Sequence, residues 1–97
     1  MQSVTINVGR CNVDNDVPVN DPSVSRLHLR VTVVSLQRLL IEDRQSRNGS
    51  FYWTGKEWQR FNSIELTAND YIFIGDSKLR LMEILIAYQI KHRDSYS

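Results

Sequence analysis

A series of short β-strand patterns, separated by turn signals about every eight to twelve residues, constrains the fold of this chain more than any other feature. Apolar and polar side chains alternate over residues 4–8 and stop at Gly9, as in a strand with one buried face. Residues 29–34 and 39–41 follow the pattern of a hairpin, and Gly55 separates two short aromatic runs. About eight such segments fit into the chain, so we predict an all-β fold, a sandwich of two mostly antiparallel sheets.

The composition agrees with strands and with one small domain. The chain of 97 residues has nine valines, eight isoleucines and four threonines but only two alanines, and β-branched residues favour strands. Its length suits one hydrophobic core and is too short for two. We expect the domain to occupy residues 1–90 and residues 91–97 to form a polar C-terminal tail.

The last apolar segment allows two interpretations. Residues 79–90, which begin at Leu79 and end at Ile90, fit a long final strand, and this is the interpretation that we favour. The helical spacing of Leu79, Met82 and Leu85 leaves a helix as the alternative. The choice matters because only a strand would present unpaired backbone groups along an edge.

Charge and cysteine content exclude several classes of protein. Twelve basic against eleven acidic residues give a net charge of +1, which argues against binding of nucleic acid through overall charge. Nine of the basic residues are arginine, whose planar fork suits phosphate or carboxylate. The single cysteine, Cys11, excludes an intramolecular disulfide and fits a reducing compartment. Because the sequence also shows no membrane span and no secretory signal, we expect a cytoplasmic protein that binds neither membrane nor nucleic acid.

Three large aromatic residues, Trp53, Trp58 and Phe61, lie on the two short aromatic runs. Aromatic side chains on short strands usually pack in the core or against one another across strands, and we expect the same here. The alternative is a surface on which nucleic acid bases stack, which the near-neutral charge disfavours.

Four short motifs occur in order along the chain. They are Gly9-Arg10 after the first strand, Asp-Pro-Ser-Val-Ser-Arg-Leu-His at residues 21–28, Asp-Arg-Gln-Ser-Arg-Asn-Gly-Ser-Phe at residues 43–51, and Asn-Asp-Tyr-Ile-Phe-Ile-Gly at residues 69–75. In order and spacing, these motifs resemble the forkhead-associated (FHA) domain family. The resemblance implies a β-sandwich whose loops at one end bind a phosphothreonine peptide, with no catalytic residue, cofactor or metal.

Four residues of these motifs are implied to contact the phosphate. A phosphate carries a charge of about −1.5 to −2 at neutral pH and three strong acceptors, so its receptor needs guanidinium and hydroxyl donors that converge on one point. The resemblance assigns these roles to Arg10 and Ser25, with Arg47 as a further contact. Arg26 directly follows Ser25 in the sequence and is a fourth candidate contact. For each arginine a solvated surface position is the alternative, and Arg47 could instead pair with either acidic residue at positions 42–43.

Four other residues are implied to hold the peptide or to support the site. Asn48 has both a donor and an acceptor and would hydrogen-bond the peptide backbone. His28 would brace the phosphate-binding loop from within. Gly9 and Gly49 would allow backbone conformations that a Cβ forbids.

The sequence therefore predicts a phosphopeptide-binding module that recruits phosphothreonine-containing partner proteins in Ser/Thr-kinase signalling. The alternative is a phosphate-independent interaction or oligomerisation module on the same fold. An enzyme is disfavoured because Ser25 and His28 share a loop without an orienting acid or an oxyanion motif. FHA domains normally have one more strand, which precedes the Gly-Arg strand and pairs with the final strand. Here only nine residues precede Arg10, so either the chain is a trimmed fragment or a final strand at residues 79–90 has an exposed edge, through which we expect a homodimer.

Overall fold

Nine β-strands and one α-helix make up the computed structural model, which describes residues 3–93. In chain order the strands are β1 (Val4–Gly9), β2 (Val17–Pro18), β3 (Leu29–Ser35), β4 (Arg38–Asp43), β5 (Ser50–Trp53), β6 (Trp58–Phe61), β7 (Ser63–Leu66), β8 (Tyr71–Ile74) and β9 (Ser77–Arg80). The helix α1 (Leu81–Arg93) follows β9 directly.

The strands form two sheets around one hydrophobic core. The first sheet has the strand order β2-β1-β3-β4-β7 and the second has the order β6-β5-β8-β9. All neighbouring strands are antiparallel except β1 and β2, which are parallel. The predicted two-sheet all-β sandwich is therefore confirmed, with a helix in addition. Its fully buried core side chains come from both sheets and include Ile6, Leu29, Leu39, Ile41, Ile72 and Ile74.

The predicted hairpin is formed by β3 and β4. Val31 lies opposite Ile41 in this pair, and Val33 lies opposite Leu39. Three of these four side chains are buried and Val33 packs partly against the core, so the alternation of apolar residues gave the correct inward face.

The prediction of a strand over residues 79–90 is wrong from Leu81 onward. β9 ends at Arg80, and the rest of the segment is helical. The backbone N–H of Arg80 donates to Oε1 of Glu83 at 3.1 Å, which caps the first turn of α1 as the glutamate of a capping box does. Leu81, Ile84 and Leu85 recur at helical spacing and are all buried, so burial of this face selects the helix.

The helix removes the long strand edge on which the homodimer was predicted. Only the four residues of β9 offer a strand at the edge of the second sheet next to α1. Homodimerisation, which was expected through a strand at residues 79–90, remains a prediction. α1 also includes residues 91–93, which were expected to begin the tail, and residues 94–97 lie outside the described part of the chain. Within residues 3–93, no helix has the length and apolar character needed to cross a bilayer.

The aromatic runs divide between the core and the outer surface. Phe61 is buried in the core, as expected. Trp53 and Trp58 form the expected cross-strand pair, with ring centroids 5.3 Å apart, but they are not in the core. They lie on the outward face of the second sheet, and Trp53 is 43% exposed.

Four loops meet at one end of the sandwich. They are the loop after β1, the loop before β3, the loop before β5 and the turn between β8 and β9. Backbone hydrogen bonds join them, from the N–H of Arg10 to the carbonyl of Ser25 at 3.0 Å and from the N–H of Gly75 to the carbonyl of Gly49 at 3.3 Å. The motifs found in the sequence are brought together at this end.

Candidate functional site

The loop end of the sandwich contains an open cavity of about 170 Å³. Pro22, Ser23 and Val24 form part of its wall. All five residues that were predicted to contact a ligand also line it, namely Arg10, Ser25, Arg26, Arg47 and Asn48.

Arg10 is held at the cavity by its own backbone and by Nε. Its N–H donates to the carbonyl of Ser25, and Nε donates to the carbonyl of Val24 at 3.0 Å. Within residues 3–93 its two terminal guanidinium nitrogens make no hydrogen bond or ion pair. The guanidinium group is therefore oriented by the protein while its strongest donors stay available to an anion.

Ser25 joins two of the loops and keeps a donor of its own. Its Oγ accepts a hydrogen bond from the backbone N–H of Arg47 at 2.9 Å. Because a hydroxyl can donate one bond while it accepts another, the hydrogen of Ser25 remains free to point at a ligand oxygen. The Arg47 side chain is exposed, and it makes no ion pair with Asp43 or Glu42, the pairing that the sequence left open.

Arg26 lines the cavity but is already paired. Its Nε donates to Oδ2 of Asp14 at 3.1 Å, and a terminal nitrogen lies at the same distance from that oxygen. The hydrogen bond to Asp14 also raises the pKa of the Arg26 guanidinium. A ligand would have to compete with Asp14 for Arg26, so the structure favours Arg10 and Arg47 over Arg26 as anion contacts.

Asn48 is positioned at the rim by a bond across the loops. Its Nδ2 donates to the carbonyl of Ser23 at 2.7 Å. The side-chain oxygen of Asn48 makes no hydrogen bond within residues 3–93, and the residue is exposed. The amide is therefore fixed in place with its acceptor and one N–H available for the backbone of a bound chain.

His28 is fully buried beneath the loops and connects them. Nδ1 accepts the backbone N–H of Ser25 at 3.0 Å, and Nε2 lies 3.0 Å from the carbonyl of Gly49, to which it donates. This pair of bonds requires the neutral ring with its proton on Nε2. Burial lowers the pKa of His28 and outweighs the opposing effects of the Gly49 carbonyl and of Asp43, which lies 3.8 Å away.

Asp43 organises the loop before β5, and it was not among the predicted site residues. Oδ1 accepts the N–H of Ser46 at 2.8 Å, and Oδ2 accepts the hydroxyls of Ser46 and Ser50 at 2.6 and 2.5 Å. Burial alone would raise the pKa of Asp43, but these hydrogen bonds lower the pKa below its usual value. The Asp-x-x-Ser spacing at residues 43–46 is a turn signal that could have identified it.

Asp21 organises the loop before β3 in the same way, and it too was not among the predicted site residues. Oδ1 accepts the N–H and the hydroxyl of Ser23 at 2.9 and 2.7 Å, and Oδ2 accepts the hydroxyl of Ser77 at 2.6 Å. The bonds from Ser77 and Ser23 lower the pKa of Asp21. The local Asp-x-Ser pattern indicates the first contact, whereas Ser77 lies 56 residues away and has no local signal.

The two glycines predicted to support the site, Gly9 and Gly49, are required for different structural reasons. Gly49 has φ +85°, a conformation that disfavours other residues, as expected. Gly9 does not have a positive φ, so the reason that a Cβ is excluded there is a different one. A Cβ at Gly9 would instead overlap the backbone carbonyl of Arg26 and lie 2.9 Å from Nδ2 of Asn15. Gly9 is needed because the chain passes very close to another loop.

The arrangement suits the binding of an anion more than the activation of a nucleophile. Ser25 and His28 do hydrogen-bond, but through the backbone N–H of Ser25 and not through its hydroxyl. The imidazole therefore has no nitrogen free to take a proton from Oγ. No group of three or more His, Cys, Asp or Glu residues within residues 3–93 could hold a metal ion.

Comparisons with known proteins agree with the geometry. The model of the FHA domain family matches residues 6–75. The FHA domain of the CT664 protein from Chlamydia trachomatis is similar in structure, with a TM-score of 0.68 and 28% identity over 77% of this chain and 72% of that one. EmbR of Mycobacterium tuberculosis in complex with a low-affinity phosphopeptide gives a TM-score of 0.65 and 26% identity over 80% of this chain and 19% of that one.

A further similar structure comes from a study of phosphothreonine-dependent FHA domain interactions, with a TM-score of 0.65 and 26% identity over 80% of this chain and 75% of that one. No curated protein sequence matches the chain. The family match covers most of the described residues and includes the strands and loops that build the cavity. The chain belongs to the FHA domain family.

Proposed function

We propose that this chain binds phosphothreonine-containing segments of partner proteins and thereby recruits those partners in Ser/Thr-kinase signalling. One observation carries the proposal. Within residues 3–93, the terminal guanidinium nitrogens of Arg10, the hydroxyl hydrogen of Ser25 and the side chain of Arg47 have no partner. They surround one cavity, with Asn48 at its rim. The similar structures that contain a phosphopeptide or concern phosphothreonine-dependent interactions support it.

The chemistry of the cavity matches that of a phosphorylated side chain. A phosphate with a charge of about −1.5 to −2 would be neutralised by Arg10 and Arg47, and its oxygens would accept bonds from both arginines and from Ser25. Asn48 would bond the peptide backbone beside the phosphothreonine and so fix the register of the peptide. Arg26 would contribute only if it left Asp14.

The proposed activity is binding and recruitment, with no chemical step. The reducing environment of the cytoplasm would suit the free thiol of Cys11, and we propose that location. A screen of an oriented phosphothreonine peptide library would identify the preferred flanking residues and yield a peptide for quantitative work.

The selected peptide would then be titrated against Arg10→Ala and against Arg38→Ala. Arg38 is an exposed arginine on the first sheet, paired with Glu65 at 3.0 Å and away from the cavity, so it controls for general loss of positive charge. A charge-assisted hydrogen bond contributes about 1.5–3 kcal/mol, so Arg10→Ala should weaken binding by at least about tenfold and Arg38→Ala should leave it unchanged. Equal losses in both variants would contradict the assignment of Arg10.

The alternative of a phosphate-independent interaction module makes the opposite prediction. Binding of a partner would survive Arg10→Ala and would not distinguish phosphorylated from unphosphorylated peptide. The free donors at the cavity favour the phosphate-dependent proposal.

A further inference from the structure

The outward face of the second sheet combines aromatic and basic side chains. Ser50, Ile72 and Ile74 are fully buried, so the alternating residues of β5 and β8 point outward. The same alternation applies to β6 and β9. The residues of this outer face are Phe51 and Trp53 on β5, Trp58 and Arg60 on β6, Tyr71 and Phe73 on β8, and Lys78 and Arg80 on β9.

These side chains form two rows across the sheet. The row nearer the loop end is Arg60, Phe51, Phe73 and Lys78, which are successive partners in the register. The second row contains Trp58 paired with Trp53, and Tyr71 paired with Arg80. Basic residues thus occupy both sides of the face, and aromatic rings occupy its centre. We call this set the aromatic–basic face.

The aromatic rings are accessible and are packed by one another and by the cations. Trp53 is 43% exposed and Tyr71 is 37% exposed. Trp58 packs edge-on against Phe73 with ring centroids 4.6 Å apart. Nζ of Lys78 lies 5.0 Å from the centre of the Tyr71 ring and 5.9 Å from that of Trp58. Large exposed aromatic residues of this kind are typical of the centre of protein interfaces.

The face has a defined charge and adjoins the cavity. None of the residues of β5, β6, β8 and β9 is acidic, although the chain as a whole is nearly neutral. The guanidinium group of Arg60 packs against Gly49, where an added Cβ would lie 2.9 Å from Nε, so the face begins directly beside the loop that carries Asn48. Within residues 3–93, Arg60, Lys78 and Arg80 make no ion pair, so the face favours a negatively charged partner.

We propose that the aromatic–basic face binds an acidic protein segment that also carries apolar side chains. The apolar side chains of the segment would pack on the aromatic centre, and its carboxylates would pair with Arg60, Lys78 and Arg80. This surface is separate from the phosphate cavity and does not require a phosphorylated ligand, so it goes beyond the proposed function.

The packing of the rings favours a protein segment over single-stranded nucleic acid. Base stacking needs free ring faces. Here Lys78 lies over Tyr71 and Trp58, and the guanidinium carbon of Arg80 lies 5.0 Å from the Tyr71 ring centre, so cations already cover part of these two rings. Trp53 and Trp58 are tilted by 56° to each other and form no flat platform.

The two tryptophans of the chain are both on this face, so intrinsic fluorescence reports on it directly. We would titrate the protein with an unphosphorylated peptide of alternating glutamate and phenylalanine, with the matching lysine and phenylalanine peptide, and with oligothymidine. Only the acidic peptide should change the tryptophan emission, and added salt should weaken its binding. An equal response to the basic peptide, a stronger response to oligothymidine or no response to the acidic peptide would overturn the proposal.

Substitutions on the aromatic–basic face test whether the acidic peptide binds there. The double change Arg60→Gln with Lys78→Gln should weaken binding of the acidic peptide roughly fivefold, since each exposed charge pair contributes little. Trp53→Ala, with Trp58 left as the reporter, should weaken it by at least about tenfold. Lys56→Gln, in the exposed turn between β5 and β6, is the matched control and should leave binding unchanged. Unchanged affinity in both face variants, with melting temperatures like that of the wild type, would overturn the proposal.

Discussion

The backbone N–H of Arg47 donates to Oγ of Ser25 at 2.9 Å, although the two residues lie on different loops and 22 residues apart. The same hydroxyl is the one expected to donate to a phosphate oxygen. Ser25 therefore both positions the loop that carries Arg47 and contributes to the cavity, so the ligand contact and the loop structure depend on one side chain.

Ser25→Ala should reduce both affinity and stability. The loss of a charge-assisted bond to phosphate would weaken phosphopeptide binding by about tenfold or more. The unsatisfied N–H of Arg47 is exposed enough to bond water, so we expect the free energy of unfolding to fall by only about 0.5–1.5 kcal/mol. Calorimetric titration and urea unfolding measure the two effects, and Ser63→Ala on β7 serves as the control. Wild-type affinity in Ser25→Ala would contradict the role of its hydroxyl.

Ser46→Ala should destabilise the domain more than Ser25→Ala does. Ser46 is buried, and its Oγ donates to Asp43 while it accepts the N–H of Gly49 at 3.1 Å. Without the hydroxyl, the buried N–H of Gly49 and Oδ2 of Asp43 each lose one hydrogen bond. We expect the free energy of unfolding to fall by about 1–3 kcal/mol. Urea unfolding midpoints for Ser46→Ala and Ser63→Ala test this expectation. Equal midpoints would show that Asp43 does not depend on Ser46.

Gly75→Ala should distort the cavity, whereas Gly55→Ala should not. Both glycines have positive φ, +56° and +101°, so both substitutions introduce backbone strain. Only at Gly75 would the new Cβ also overlap Ser23, whose carbonyl accepts the bond from Asn48; nothing lies within 4 Å at Gly55. Because of this overlap, we expect Gly75→Ala to lower the free energy of unfolding by about 1–3 kcal/mol more than Gly55→Ala does. Gly75→Ala should also weaken phosphopeptide binding. Phosphopeptide affinity that falls equally in the two variants would contradict this explanation.

The positions of most strands along the chain could be predicted from the sequence, but the final element could not. In β3 and β4 the apolar period is two and turn residues flank both strands, so pattern and structure agree. In α1, the spacing of Leu81, Ile84 and Leu85 fits a helix, yet the run is so apolar that a strand fits as well. The N-terminal signal was weak because Arg80, not Ser, Thr, Asp or Asn, precedes the helix, and only Glu83 marked the capping box.

The site shows the same division between local and distant signals. The two motifs that contain Ser25 and Asn48 are each contiguous, so their residues could be identified from the sequence. The anchors of the loops depend on tertiary contacts. The bond from Ser77 to Asp21 spans 56 residues, and the pairing of Arg26 with Asp14 is one of several that a surface arginine could make.

Stability should fall in two stages as the pH decreases. The pKa of His28 is lowered in the folded state, so below about pH 6.5, its ordinary value, the unfolded chain binds a proton that the folded chain excludes. A second loss should begin below about pH 3.8, because the pKa values of Asp21 and Asp43 are also lowered by folding. Urea midpoints measured against pH test both stages.

The other histidine provides the control for the first stage. His92→Gln should retain the loss of stability below pH 6.5, and NMR of the His28 ring should show the neutral form with its proton on Nε2. A flat stability curve in His92→Gln, or a charged His28 ring near pH 6.5, would contradict the assignment to His28.

The most direct test of the central claim is a calorimetric titration with one peptide in two forms, with and without phosphate on its threonine. Because Arg10 and Ser25 both direct unused donors into the cavity, at least two charge-assisted bonds should depend on the phosphate. The phosphorylated form should bind at least about 100-fold more tightly than the unphosphorylated form. Equal affinity for the two forms would contradict it.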